Sequence, residues 1–293
     1  PILEPYIHLI DFYQRTSHIG TGAHKEEERS YLRAIKQIYT PVQIQQFLQV
    51  SQRYEHHKCY GQATGRVVST LIQNAHTQGE SYFTLDLDSL KPIDYLCYNL
   101  QQWMNQTLVI RVKGKTGTSF GCASYNGTYI IDETGPNSFG SAQGGTYFIN
   151  RCGEKNAHNV SDGEFHIKFA APDLAKYSKS SRFYIESSRG AVGERSNRST
   201  YRIRNAIHTN ATFWDLGSTT TYYIEKIEDL TGFSANDVTL YVKSCPQPRF
   251  INNGLNLYTP NRTLFEFIEA RRPATKNIIS RKSWDMHWLK AEQ

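Results

Sequence analysis

The chain is poor in features that identify many protein classes. Its five cysteines, Cys59, Cys97, Cys122, Cys152 and Cys245, are odd in number and widely spread over 293 residues. This spacing excludes a CxxC zinc ribbon and argues against a disulfide framework. We therefore expect a reducing, cytoplasmic environment.

Long apolar runs are also missing. None approaches the roughly 18 residues that a membrane-spanning helix needs, so we expect no membrane partner. The first residues, PILEPYIHLIDFY, lack the basic flank and the cleavage site of a signal peptide. Because the chain begins at Pro1, we expect a processed start or a segment of a longer product. The N-x-S/T sequons keep a secreted, glycosylated protein as a minor alternative.

Catalytic signatures are weak throughout. Gly114-Lys115-Thr116 lacks the earlier glycine of a nucleotide-binding P-loop, and there is no HExxH. The histidines do not have metal-ligand spacing, so we predict no zinc site. A divalent cation such as Mg²⁺, held by Asp and Glu side chains, remains compatible with the composition.

The chain does have an excess of positive charge and a clear change of pattern. Its net charge is +6 and its pI about 9.0, which favours acidic partners such as nucleic acid. Residues 24–78 have the apolar spacing of three helices, with Thr40-Pro41 as the cap of the second and Gly61 as its break. PIDYLCYNLQQWMNQ (92–106) also has helical spacing.

Strand-like alternation dominates after residue 81. TLVIRVKG, GTYFINRC, GEFHIKFA and similar runs alternate apolar and polar residues, and Asn126-Gly127 is a strong hairpin signal. We see no internal repeat. The predicted fold class is α+β: an N-terminal helical segment (1–80), then a largely antiparallel β-sheet with a C-terminal helix, RTLFEFIEARR, in 81–293. The two parts form either separate domains or one continuous domain.

The stretch RFYIESSRGAVGERSNRSTYRIR (182–204) contains six arginines and no lysine. Its ends predict two strands of a hairpin, and its middle predicts a mobile loop. Arginine presents a rigid fork of donors that matches phosphate, and tyrosine rings stack on bases. The predicted nucleic-acid-binding residues are Tyr184, Arg189, Arg195, Arg198, Tyr201, Arg202 and Arg204.

The run DGEFHIKFA places an acid, an imidazole and an amine on one face of a strand. Such groups can transfer protons or hold a phosphate. The predicted catalytic residues are Glu164, His166 and Lys168, with Glu186 from the next strand. The alternative is simply the polar face of a half-exposed strand.

Three functions therefore remain open. The leading hypothesis is a nucleic-acid-binding protein with nuclease-like or other phosphodiester- or base-directed activity. The second is a structural or assembly protein, such as a viral or surface component, without catalysis. The third is a cysteine hydrolase, which is supported only by the order of Cys122, His208 and Asp215 along the chain.

Overall fold

The computed structural model describes residues 3–15, 22–101, 106–207, 214–215, 219–227, 234–235, 238–245, 255–259 and 266. The helices are α1 (Leu3–Arg15), α2 (Gly22–Ala34), α3 (Pro41–Ser51) and α4 (Tyr60–Thr77), with a short 3-10 helix, Gln52–Tyr54, before α4. The strands are β1 (Tyr82–Asp86), β2 (Val109–Lys115), β3 (Thr128–Glu133), β4 (Thr146–Cys152), β5 (Glu164–Ala170), β6 (Arg182–Arg189), β7 (Thr200–Ile207), β8 (Trp214–Asp215), β9 (Thr221–Ile227), β10 (Ser234–Ala235), β11 (Val238–Ser244) and β12 (Leu255–Tyr258). Within these residues no helix is both long and apolar enough to cross a membrane.

The helical segment follows its local sequence closely. Thr40 accepts a hydrogen bond from the Gln43 amide, the Gln43 side chain accepts one from the Thr40 amide, and Pro41 is the first helical residue. This capping box confirms the predicted start of α3. Helix α1 lies in the predicted helical segment (1–80) but before the three helices predicted over 24–78, and Gly61, the predicted break, lies inside α4 near its start.

Ten of the twelve described strands form one parallel sheet, in the order β1-β2-β3-β4-β5-β6-β7-β9-β11-β12, and β8 pairs with β10. From β3 to β7 each residue pairs with the one eighteen positions further on, as Tyr129 does with Tyr147 and Phe165 with Phe183. Each turn of the chain thus adds one strand to the sheet, and the architecture is a β-solenoid. The predicted largely antiparallel sheet is wrong, and so is the absence of an internal repeat.

The C-terminal helix of the predicted fold class is not supported either. The last element defined is a strand, β12. Apart from Glu266, the run RTLFEFIEARR lies outside the described residues.

The conformation of the turns explains why the Asn126-Gly127 signal wrongly predicted a hairpin. Asn126 and Gly127 both have positive φ, as a hairpin turn requires, but the flanking strands β2 and β3 pair in parallel. Positive φ recurs one coil later at Gly144, then at Asp162, Ser180 and Arg198. A left-handed turn therefore closes each coil instead of folding a hairpin.

The predicted helix over 92–106 is also wrong. Its described part, 92–101, forms turns, with positive φ at Tyr95, Cys97 and Asn99. These alternate left-handed residues match those of later coils, such as Lys155 and Ala157. The apolar spacing in this run reflects burial on the coil interior and not helical periodicity.

The solenoid core contains a continuous aromatic column. Adjacent ring centroids lie 4.4–5.1 Å apart, with interplanar angles of 7–11°. Stacking between coils in register buries each ring completely or nearly so. The inner column is Tyr129, Tyr147, Phe165, Phe183, Tyr201 and Tyr222.

The helical segment covers the first edge of the sheet. Gln45 of α3 donates from Nε2 to the Asp86 carbonyl (3.1 Å) and accepts at Oε1 from the Asp86 amide (2.9 Å). Gln73 of α4 makes the same two-point contact with the backbone of Gln101 (2.8 and 3.3 Å). Two side-chain amides thus occupy backbone groups that another coil would otherwise pair with.

Candidate functional site

The outer face of the sheet carries a second column of stacked side chains. Tyr184 lies between the His166 ring (centroids 4.7 Å apart) and the Arg202 guanidinium (5.4 Å from its ring centroid). The guanidinium is followed by Tyr223 (5.7 Å). The outer ladder is Phe148, His166, Tyr184, Arg202, Tyr223, Tyr241 and Tyr258.

Strand alternation explains this ladder. In β6 Phe183 and Ile185 are buried and Tyr184 is half-buried on the other side. In β7 Tyr201 and Ile203 are buried, while Arg202 and Arg204 project outward. Because neighbouring strands are parallel and in register, equivalent outward positions meet from coil to coil.

A groove of about 580 Å³ crosses this face over β3 to β7. It brings together residues predicted from separate strands, together with Ile130 and Phe148 at one end. The predicted residues on its walls are Glu164, His166, Lys168, Tyr184, Glu186, Arg202 and Arg204.

The four predicted catalytic residues share this face but differ in their contacts. His166 Nε2 lies 2.9 Å from Glu164 Oε1, and Arg182 Nη2 donates to Glu164 Oε2 at 2.6 Å. Lys168 and Glu186 also line the groove, from β5 and β6. Glu164 is therefore held as the acceptor of two neighbours, which is the arrangement of a structural ion-pair network.

Arg202 is the most constrained cation of the groove. Two tyrosine rings flank its guanidinium, and its Nε is buried without a hydrogen-bond partner among the described residues. Arg204, two residues on, lies 3.6 Å from Glu225 and stays 42% exposed. The pair presents two guanidinium groups on one strand face.

Two adjacent coils carry a large local excess of positive charge. Residues 174–204 carry eight basic and two acidic side chains, an excess equal to the net charge of the whole chain. We call this segment the basic band. Its cations are Lys176, Lys179, Arg182, Arg189, Arg195, Arg198, Arg202 and Arg204.

The three remaining predicted arginines lie outside the groove. Arg189 is exposed at the end of β6, and Arg195 and Arg198 are exposed in the coil turns with positive φ. Arg195 donates to the Tyr177 hydroxyl at 2.8 Å. The connection between β6 and β7 is thus one solenoid coil, not the predicted hairpin loop, since the two strands pair in parallel.

Tyr201 does not belong to the surface. It is fully buried in the inner column, where its hydroxyl lies 2.6 Å from Ser178 Oγ and 2.7 Å from Ser196 Oγ. The predicted role of this ring in base contacts is wrong, because the alternation that exposes Arg202 turns Tyr201 inward.

In the described part of the chain, Cys122 has no base among its hydrogen-bond partners. Its Sγ donates to the Asn137 carbonyl (3.1 Å) and accepts from the Gly140 amide (3.2 Å). Burial raises the pKa of its thiol, which disfavours the reactive thiolate. His208, its predicted catalytic partner, lies outside the described residues.

Tyr223 is a residue of the site that sequence reasoning missed. It completes the sandwich around Arg202, twenty-one positions away. Aligning TYRIR (200–204) with TYYIE (221–225) would have revealed it. That alignment can be made only once the repeat is known, and the repeat sequence varies at all but the aromatic and Ile positions.

Across the described ranges, no group of three or more His, Cys, Asp or Glu side chains could hold a metal ion. Comparisons of the chain with family models, curated proteins and solved structures find no match. Function is therefore inferred from geometry and charge.

Proposed function

We propose that the protein binds nucleic acid, through its phosphates, at the basic band and the adjoining groove. The observation that carries the proposal is the large local excess of positive charge in two neighbouring coils. Neutralising several phosphates with arginine and lysine supplies most of the affinity of non-specific nucleic-acid binding.

The arginine geometry supports phosphate as the recognised group. Arg202 is held between Tyr184 and Tyr223, so little side-chain freedom is lost when its fork meets an oxyanion. Lys179, Arg189 and Arg198 form no ion pair with any described residue. Such cations are available to an external anion.

Base stacking is not part of the proposal. One face of the Tyr184 ring is covered by His166 and the other by Arg202. A base would have to break the outer ladder to stack there. We therefore expect phosphate contacts without strong sequence preference.

Cleavage is not part of the proposal either. Glu164 already accepts from His166 and Arg182, so a role as general base would require these contacts to open. A cytoplasmic location fits the proposal and is supported by the odd number and wide spacing of the five cysteines.

The test is fluorescence anisotropy with labelled single-stranded DNA and RNA over a range of salt concentrations. We expect binding that weakens steeply with salt. Arg202→Ala with Arg204→Ala should lower the slope of log K against log salt by about 1.4, at about 0.7 for each phosphate contact of a single strand. The matched pair Arg195→Ala with Arg198→Ala should cause a smaller loss.

Absence of salt-dependent binding at low ionic strength would refute the proposal. Light scattering on the same samples tests the assembly alternative. A large, defined homo-oligomer without nucleic-acid affinity would favour that alternative. Including Mg²⁺ in one arm and analysing strand length afterwards tests for cleavage.

A further inference from the structure

A second cavity lies far from the basic band in the chain. It has a volume of about 910 Å³ and lies between the helical segment and the first solenoid turns. Helix α4 forms one wall, residues 95–100 form another, and side chains of α1 and α2 complete it. Its volume is in the range of small-molecule sites. We call it the helical cleft.

A buried charged cluster forms part of its lining. Arg66 Nε donates to Glu28 Oε1 at 2.6 Å, and the Tyr13 hydroxyl donates to the same oxygen at 2.6 Å. The Glu28 side chain is 5% exposed and that of Arg66 is 18% exposed. The guanidinium carbon lies 3.9 Å from the Tyr98 ring centroid and 5.5 Å from that of Tyr95.

These contacts fix the Arg66 guanidinium on several sides. Its Nε is occupied by Glu28 and one face is covered by Tyr98. Tyr13 also lies close to the guanidinium, and within the described part of the chain Glu28 is the one carboxylate paired with Arg66. A planar fork that is held rigidly is the geometry that binds phosphate or carboxylate in a bidentate manner.

The other charges of the lining have the same sign as Arg66. Arg29 and Lys58 also line the cleft, so three cations face the single carboxylate of Glu28. Lys58 is exposed and forms no ion pair with a described residue. Arg29 is paired with Glu26, which does not line the cleft. Lys58 is therefore the cation of the lining that no described carboxylate neutralises.

We propose that the helical cleft binds a small oxyanion, bearing phosphate or carboxylate, with Arg66 as the fork and Lys58 as a second cation. The site is independent of the proposed nucleic-acid interface. It shares no residue with the groove or the basic band.

Isothermal titration calorimetry on the full chain tests this at constant ionic strength, with pyrophosphate and citrate as probes. We expect saturable 1:1 binding of at least one probe. Tighter pyrophosphate binding would identify phosphate as the preferred group, and tighter citrate binding would identify carboxylate. Lys58→Gln should weaken binding about fivefold, and Arg66→Lys at least tenfold, because lysine keeps the charge but loses the fork.

Two controls separate this site from other basic surfaces. Lys155→Gln, at an exposed turn of the solenoid, and the Arg202→Ala/Arg204→Ala double variant should both leave the affinity within twofold of the wild type. No saturable binding of either probe would overturn the proposal. So would binding that the groove double variant abolishes, or that Lys58→Gln leaves unchanged. The Lys58 variant keeps the test decisive if Arg66→Lys fails to fold.

Discussion

The guanidinium carbon of Arg202 lies 5.4 Å from the centroid of the Tyr184 ring, so a tyrosine holds an arginine in place on the open face of the solenoid. A cation–π contact of this kind is worth about 0.5–1 kcal/mol at an exposed site. The contact orders the arginine without neutralising it, which allows the role of Tyr184 to be tested apart from charge.

Tyr184→Leu should weaken nucleic-acid binding about threefold, because the contact energy is lost and Arg202 becomes free to reorient. The salt slope should stay unchanged, since no charge is removed. Anisotropy over a salt series measures both quantities. Tyr184→Phe, which keeps the ring, should behave like the wild type. A changed slope in Tyr184→Leu would show that the ring does more than hold Arg202.

Tyr201, the inward-facing neighbour of Arg202, should affect stability and not nucleic-acid binding. Tyr201→Phe removes the hydroxyl that lies between Ser178 and Ser196, at 2.6 and 2.7 Å. Removing one partner of a buried hydrogen bond costs about 1–3 kcal/mol. The midpoint of denaturant unfolding should fall while nucleic-acid affinity stays the same. A loss of affinity without a loss of stability would contradict the assignment of Tyr201 to the core.

The capping of the first strand gives a prediction about stability. Gln45→Ala removes both hydrogen bonds to the Asp86 backbone and leaves part of an edge strand unpaired. At about 0.5–1.5 kcal/mol for each hydrogen bond, the free energy of unfolding should fall by about 1–3 kcal/mol. Gln46→Ala, exposed on the same helix, is the matched control and should be nearly neutral. Equal effects of the two would mean that the edge contact contributes nothing.

Alternation predicted which side chains face outward but not which strands pair. Phe183 and Tyr184 lie on opposite faces as alternation requires, since a period of two is the same in parallel and antiparallel sheets. The direction of pairing depends on partners eighteen residues away. TYFIN and EFHIK, which pair in register, share only an aromatic residue and an isoleucine at equivalent positions.

The candidate site was predictable to the extent that it lies along single strands. Glu164, His166 and Lys168 occupy one outer strand face by local alternation, and the solenoid then adds Tyr184 and Arg202 from the next coils. The helical cleft had no comparable signal. Glu28, Arg66 and Tyr98 are distant in sequence, and only the docking of the helices on the first coil brings them together.

At Gly65, helix propensity and tertiary packing predict opposite effects of substitution by alanine. In the interior of α4, alanine should stabilise an isolated helix by about 1 kcal/mol relative to glycine. In the folded chain, however, a Cβ at this position would lie 1.9 Å from the Asp94 carbonyl oxygen and 2.9 Å from the Leu96 amide. Both atoms are backbone and cannot move aside cheaply.

Gly65→Ala should therefore lower the free energy of unfolding by about 1–3 kcal/mol, the usual cost of overpacking. Chemical denaturation measures this. Thr77→Ala, exposed at the C-terminal end of α4, is the control and should change stability little. A stabilised Gly65→Ala variant would show that α4 does not dock on residues 94–96 as closely as the structure has it.

The cysteine-hydrolase alternative predicts that Cys122 reacts fast with a thiol reagent, whereas its burial in the structure favours a slow reaction. An activated nucleophile would react with iodoacetamide far faster than the other cysteines. Burial raises the thiol pKa of both Cys122 and Cys59, and each is only partly exposed. Since the thiolate is the reacting form, both should be labelled slowly at pH 7 and their rates should rise together as the pH increases. We expect the rate at Cys122 to stay within about tenfold of that at Cys59.

Peptide mapping after timed labelling measures the two rates in one sample, with Cys122→Ser as the assignment control. A selective and fast reaction at Cys122 near neutral pH would require an imidazole close to its Sγ and would restore the hydrolase hypothesis.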